Sequence, residues 1–271
     1  MGVTVVAKLA EALARPGPVL SAWVGINEAA VAEALAREGF DSVLLDMQHG
    51  AYDFVGAARA ILSVALTGKP SLVRIPVGDF ASASRVLDAG AAGILAPMIN
   101  SREDAEQLVA FTKFPPLGER SWGPRAALPL SGLEPPAYLA GANGMVRTIA
   151  MIETGAALEA LDDILGVEGI DGVFVGPSDL SIALSEGRTV DPRGGAIMDA
   201  SARVIERVRA HGKFAAMFCF DGADARAMAA KGFKFCSVGS DLTLLRGAAR
   251  AELETARAPH PTNPGKSAKK A

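Results

Sequence analysis

The sequence predicts a (β/α)8 barrel of the TIM type, and three observations point to it. Eight short apolar stretches alternate with helical ones along the chain. The strands read as continuous Val, Ile, Leu and Ala runs, which suits a parallel sheet covered on both faces. Polar residues recur at the ends of separate strands, where barrels build their sites. A doubly wound open sheet is the competing arrangement, but no Gly-x-Gly-x-x-Gly follows any predicted strand. The nearest run, Gly166-x-x-Gly169-x-x-Gly172, has another spacing and precedes a strand.

Residues Val3 to Ala14 carry apolar positions at helical spacing and stop at Arg15-Pro16-Gly17-Pro18, which predicts an extra N-terminal helix. Strand 1 follows over Val19 to Val24, with a helix capped by Asn27, running to Arg37 and ended by Gly39. Strand 2, Ser42 to Leu45, runs into Asp46-Met47-Gln48-His49-Gly50, and its helix covers Asp53 to Leu66. Strand 3 is Ser71 to Ile75, its helix opening near Asp79 and ending at Asp88-Ala89-Gly90. Strand 4, Gly93 to Ala96, precedes a helix from Arg102 to Phe111.

The alternation is then interrupted. From Pro115 to Gly144 the chain is rich in Pro, Gly and Ala and reads as a long loop, functional or mobile, containing Arg120-Ser121-Trp122-Gly123-Pro124-Arg125. Strand 5, Val146 to Ile152, is followed by helical turns from Ala156 to Ile164. Strand 6, Gly172 to Val175, ends in a Gly-Pro turn and leads to a helix from Pro192 to His211. Strand 7 is Lys213 to Phe218, with a helix from Asp221 to Ala230. Strand 8 is Phe235 to Val238, with a last helix to Arg257. One domain is expected over 1–257, with a disordered basic tail over 258–271.

With 271 residues, 50% hydrophobic and 21% charged, the chain can bury a large core. Its net charge of −3 argues against nucleic acid or an anionic membrane as partner and favours a small molecule. Lys8, Glu11 and Arg15 interrupt any signal-peptide core, and Ala91 to Ile99 is too short to span a bilayer, so a cytoplasmic protein is expected. Cys219 and Cys236 lie in apolar runs without metal spacing and read as buried free thiols.

Asp46 with His49, Arg74, Glu153, Asp179 and Asp241 all fall at or just past strand ends. Each alone could be a helix cap or a rim charge; together they read as a site. Glu153 and Asp179 are separated by one strand–helix–strand unit, so parallel neighbours would bring both carboxylates to one edge. Two oxygen donors without a nearby Cys or second His point to Mg2+, Mn2+ or Co2+ rather than structural zinc. Arg74 suits a substrate carboxylate, and His49 is the only histidine beside a strand end; His211 reads as a surface residue and His260 lies in the tail. No lysine stands where a Schiff-base residue should, so metal–enolate chemistry is favoured over imine chemistry.

Asp46-Met47-Gln48-His49, Val73-Arg74, Leu87-Asp88-Ala89-Gly90, Ala96-Pro97-Met98, Met151-Ile152-Glu153-Thr154 and Gly172 to Ser181 resemble, in order, the motifs of the HpcH/HpaI family of metal-dependent (class II) pyruvate aldolases. The resemblance covers residues 18 to 255. It implies reversible cleavage of a 4-hydroxy-2-oxo acid to pyruvate, or a related 2-oxo acid, and an aldehyde. The alternative is oxaloacetate decarboxylation or acyl-thioester lysis by the same chemistry. It implies that Glu153 and Asp179 ligate the metal and that Arg74 neutralises the enolate. The turn carrying Gly176, Pro177 and Ser178 would hold the carboxylate, and His49, paired with Asp88, would act as base, directly or through a metal-associated water. Asp88 is named by the resemblance alone. The resemblance also implies a hexamer built from dimers that exchange the last helix, and places Trp122 either at the acceptor or at a subunit interface. Two departures stand out: Gln48 where many members carry Glu, and Gly155 where many carry Arg. Gln48 cannot ionise and Gly155 removes a cation near the mouth, and both tell against the dicarboxylate-semialdehyde substrates of the best-known degradative members.

Overall fold

In the computed structural model, which describes residues 4–258, eight parallel strands close into a barrel in the order β1 to β8. A 3-10 turn (Val5–Ala7) leads into α1 (Lys8–Ala14), β1 (Val19–Val24), α2 (Ala29–Arg37), β2 (Ser42–Asp46), α3 (Phe54–Leu66), β3 (Ser71–Arg74), α4 (Phe80–Asp88), β4 (Gly93–Ala96) and α5 (Arg102–Thr112). After α6 (Ala127–Ser131) and α7 (Pro135–Met145) come β5 (Arg147–Ile152), α8 (Gly155–Glu159), α9 (Leu161–Leu165), β6 (Gly172–Val175), α10 (Pro177–Leu184) and α11 (Gly195–Ala210). The chain finishes with β7 (Phe214–Cys219), α12 (Gly222–Lys231), β8 (Phe235–Val238) and α13 (Asp241–Arg257). The tail expected from 258 onward, His260 included, lies outside the described residues from 259.

Side chains alternate between the two faces of each strand, and this period of two sorts the core. One set fills the barrel interior: Val19, Trp23, Leu44, Leu72, Leu95, Ile149, Met151, Phe174, Ala216 and Phe235. The alternate set, including Val24, Val43, Leu45, Val73, Ile94, Ile152, Val173 and Val175, packs under the helices. The amphipathic N-terminal helix is present as expected, and Leu9 and Ala12 of α1 join the interior cluster. Leu9 is fully buried, a contribution of about 2 kcal/mol, and it touches the start of β4 closely enough that a Cβ at Gly93 would stand 3.0 Å from it. It stops the end of the barrel opposite the site.

The structure corrects the sequence reading in three places. The 115–144 stretch is not one loop; it contains α6 and α7, tied down by Lys113, whose buried Nζ donates to the carbonyls of Asn143 (3.0 Å) and Val146 (2.8 Å) and to Asp171 Oδ2 (2.8 Å). The Gly-Pro turn after strand 6 is the first turn of α10, with Pro177 at its first position. Asn27 does not cap α2; Glu28 occupies that position without a side-chain cap hydrogen bond. The surface reading of His211 holds, since its Nε2 meets Asp162 Oδ1 at 3.0 Å. Cys219 and Cys236 are buried and free.

The last helix stands apart from the body. Of α13 only Asp241 is buried, while Leu242, Leu244, Leu245 and Leu253 are exposed. An apolar trough of about 560 Å³ is lined by Leu20 of β1, Phe40, Ala225 and Ala229 of α12 and Val238 of β8. No helix among the described residues is long and apolar enough to cross a membrane.

Candidate active site

The alternation that fills the barrel interior continues one step past the apolar layer and delivers polar side chains to its mouth. Above Leu44 stands Asp46, above Leu72 stands Arg74, above Met151 stands Glu153, and above Phe174 stands Gly176. Asp46 and Arg74 are direct partners in the β2–β3 ladder. The mouth encloses a cavity of about 240 Å³ lined by His49, Arg74, Ser178, Asp179 and Ser240, with an aromatic floor of Trp23, Phe174 and Phe218.

Arg74 is held rather than free. Its Nε and Nη2 donate to the two oxygens of Asp46 at 2.8 and 2.6 Å, and its guanidinium stacks over Trp23 at 4.7 Å from the ring centre. Asp46 also accepts from Trp23 Nε1 (3.2 Å) and from the amides of Gln48 (3.0 Å) and His49 (3.3 Å). Burial alone would push this carboxyl up, but the hydrogen bonds and charge of Arg74, with the two amides, hold it below the usual carboxylate range. Asp46 thus fixes the turn that carries His49 and the guanidinium in one stroke.

Glu153 is buried, and its Oε1 accepts from the Met98 amide at 2.7 Å. Its Oε2 accepts no hydrogen bond among the described residues and faces β6 so closely that a Cβ at position 176 would stand 2.6 Å away. Burial raises the Glu153 carboxyl above its ordinary value; the Met98 amide opposes this, the nearby charge of Asp179 adds to it, and Arg74 opposes it. Asp179 is exposed in the first turn of α10, where the orphan amides of Ser178 and Asp179 and the helix dipole favour an anion.

Neither Glu153 nor Asp179 forms an ion pair with Lys, Arg or His among the described residues. A buried carboxylate with an unclaimed oxygen, repelled by a second carboxylate, fits a hard divalent cation. No cluster of three or more His, Cys, Asp or Glu suited to a metal occurs among the described residues. The pair would therefore leave most positions to water and substrate, as an open catalytic site requires.

Three expected residues fall elsewhere. Asp88 ends α4, which runs back along the outside of the barrel, and it accepts from Arg120 Nη2 at 2.6 Å rather than meeting His49 of the same chain. Trp122 stacks with Phe114 and Tyr138, at 5.6 and 6.0 Å between ring centres, and does not line the cavity. Asp241 is buried as a clamp: its Oδ2 accepts from the amides of Gly25 (3.0 Å) and Ile26 (2.8 Å), sewing the end of β8 to the end of β1. The aromatic floor went unremarked in the sequence, although Trp23, Phe174 and Phe218 each sit on the inward phase of their strands.

The profile of the HpcH/HpaI aldolase/citrate lyase family matches residues 20–248. The hydroxypyruvate/pyruvate aldolase of Rhizorhabdus wittichii is 42% identical over 241 residues, 89% of this chain and 95% of that one. The 4-hydroxy-2-oxovalerate aldolase of Novosphingobium aromaticivorans is 34% identical over 88% of this chain and 90% of its own length. Among solved structures, a HpcH/HpaI aldolase/citrate lyase family protein from Burkholderia cenocepacia superposes with a TM-score of 0.84 at 31% identity, covering 93% of this chain and all of that one.

Proposed function

The chain belongs to the HpcH/HpaI aldolase/citrate lyase family, and on that premise we propose that the cavity at the barrel mouth is its aldolase site. The protein is a carbon–carbon lyase that reversibly splits a 4-hydroxy-2-oxo acid into pyruvate, or a related 2-oxo acid, and an aldehyde. The observation that carries the placement is Glu153, buried with one unclaimed oxygen beside the charge of Asp179 and the guanidinium of Arg74.

Glu153 and Asp179 would hold a divalent cation, Mg2+, Mn2+ or Co2+, which when bound supplies a Lewis acid for the oxo oxygen as negative charge develops there. The amides that open α10, after Gly176 and Pro177, receive the substrate carboxylate together with the Ser178 hydroxyl. Arg74 offers its charge to the forming enolate from a position already fixed by Asp46 and Trp23, so little reorganisation opposes the reaction. In the cleavage direction His49 accepts the proton of the 4-hydroxyl as the C3–C4 bond breaks. The electron pair passes to the oxo-acid fragment, and His49 returns the proton it took to C3, which gives the methyl group of pyruvate and restores the base. The apolar floor keeps water from competing at that carbon.

Because Asp88 sits away from His49 in its own chain, we place their pairing between subunits, with Asp88 and the neighbouring Trp122 of one copy set against the mouth of another. The bare α13 and the apolar trough between β1, β8 and α12 fit exchange of the last helix within a homo-oligomer, a hexamer by the family pattern. The function is tested with purified protein: pyruvate release from a 4-hydroxy-2-oxo acid should vanish with EDTA and return with Mg2+ or Mn2+. Activity indifferent to the chelator would refute the cation's role.

A further inference from the structure

Glu153 is held by more than its own strand. The Met98 amide that donates to Oε1 comes from a residue with φ +55°, a left-handed conformation uncommon outside glycine, just past the end of β4. Something must fix that turn, and Asn100 does. Its Nδ2 donates to the Met98 carbonyl at 3.0 Å, while its Oδ1 accepts from the Thr154 hydroxyl at 2.5 Å. Thr154 in turn accepts from the Ala157 amide at 3.0 Å as the cap of α8, so its proton must point to Asn100. The Met98 carbonyl likewise admits only the NH2 end of the amide. Asn100 is itself anchored, its backbone N–H donating to Asp104 Oδ2 at 2.9 Å.

These bonds close a ring from Glu153 through Met98, Asn100 and Thr154 back to Glu153, since Thr154 is its chain neighbour. We propose that Asn100 is a positioning residue, which uses this ring to commit one oxygen of Glu153 to the Met98 amide and leave the other to the cation. The inference rests on the reading of Glu153 as a ligand. It makes the β4–α5 turn, which contributes no ligand, a determinant of metal affinity, as partners behind a ligand commonly are.

The test is Mn2+ affinity of the purified protein, read by electron paramagnetic resonance alongside circular dichroism and the unfolding temperature. Asn100→Ala should weaken Mn2+ binding by on the order of 10-fold without loss of fold. Thr154→Ser, which keeps the hydroxyl, should bind as wild type, and Thr154→Val should bind as weakly as Asn100→Ala. The double variant Asn100→Ala with Thr154→Val should lose little more than either alone, because both break one ring. Wild-type affinity in folded Asn100→Ala, fully additive losses, or a Thr154→Ser variant as weak as Thr154→Val would each overturn the proposal. Glu153→Gln separates the two levels of argument. If it loses Mn2+ while Asn100→Ala does not, only the positioning role fails; if it binds Mn2+ as wild type does, the ligand assignment fails and the positioning role with it.

Discussion

Asp46 and Arg74 face each other across the β2–β3 ladder and share two hydrogen bonds of 2.8 and 2.6 Å, both side chains nearly excluded from solvent. The pair fixes the Arg74 guanidinium at the barrel mouth. Because the Asp46 carboxyl is held below its ordinary range, its stabilising contribution is complete above about pH 4 and is lost as pH falls through the lower folded value. Asp46→Asn should lower stability at pH 6 by about 3 kcal/mol. The difference from wild type should shrink below about pH 4. Thermal unfolding at pH 6 and pH 3 checks this, and an equal gap at both would contradict it.

His49 is assigned to proton transfer and not to binding. His49→Ala should slow deuterium exchange at the pyruvate methyl by roughly 100-fold or more, with pyruvate affinity little changed. Exchange at the wild-type rate would take His49 out of the role.

Pairing of His49 with Asp88 between subunits has its own signature. Inactive His49→Ala and Asp88→Asn proteins, unfolded together and refolded, should regain part of the wild-type activity. Mixed assemblies contain sites with an intact His49 and a neighbour's intact Asp88. A mixture no more active than its parts would count against a shared site.

Gly176 leaves room for the unclaimed oxygen of Glu153, since a Cβ there would stand only 2.6 Å from it. Gly176→Ala should keep the fold but weaken Mn2+ binding by on the order of 10-fold, through displacement of Oε2. Titration of Mn2+ against both proteins decides it, and equal affinities would show that Glu153 has another way to reach a cation.

The bare face of α13 should be an assembly surface. Leu245→Glu combined with Leu253→Glu, both more than half exposed in one chain, should reduce the oligomer to smaller species. Light scattering on the eluted protein measures this directly; an unchanged mass would exclude those positions from the interface.

The fold was legible because the strands are continuous apolar runs and the breaks between them are sharp. Glu153, Asp179, Arg74 and His49 were legible as residues of the barrel mouth because a strand end is visible in the sequence. Helix α7 was not: Pro135, Pro136, Gly141 and Gly144 are poor helix formers, and its placement depends on the buried Tyr138 and on the distant Lys113. Helix α10 could have been found, since Pro177 followed by Ser178 and Asp179 suits a helix start as well as a turn. Asp241 misled because its partners, Gly25 and Ile26, lie at the other end of the chain, and no local pattern announces a contact of that range.

That clamp has a mechanical meaning. Asp241 is the first residue of α13, and the loop it grips touches the turn after His49: the Ala51 amide donates to the Gly25 carbonyl at 2.8 Å. The helix proposed to bind a neighbouring copy is thus two hydrogen bonds from the turn that carries His49. A pull on the helix would be felt at the ends of β8 and β1 and, through the Gly25 carbonyl, at the turn after His49, so association with neighbours and the proposed proton transfer would share a single tether.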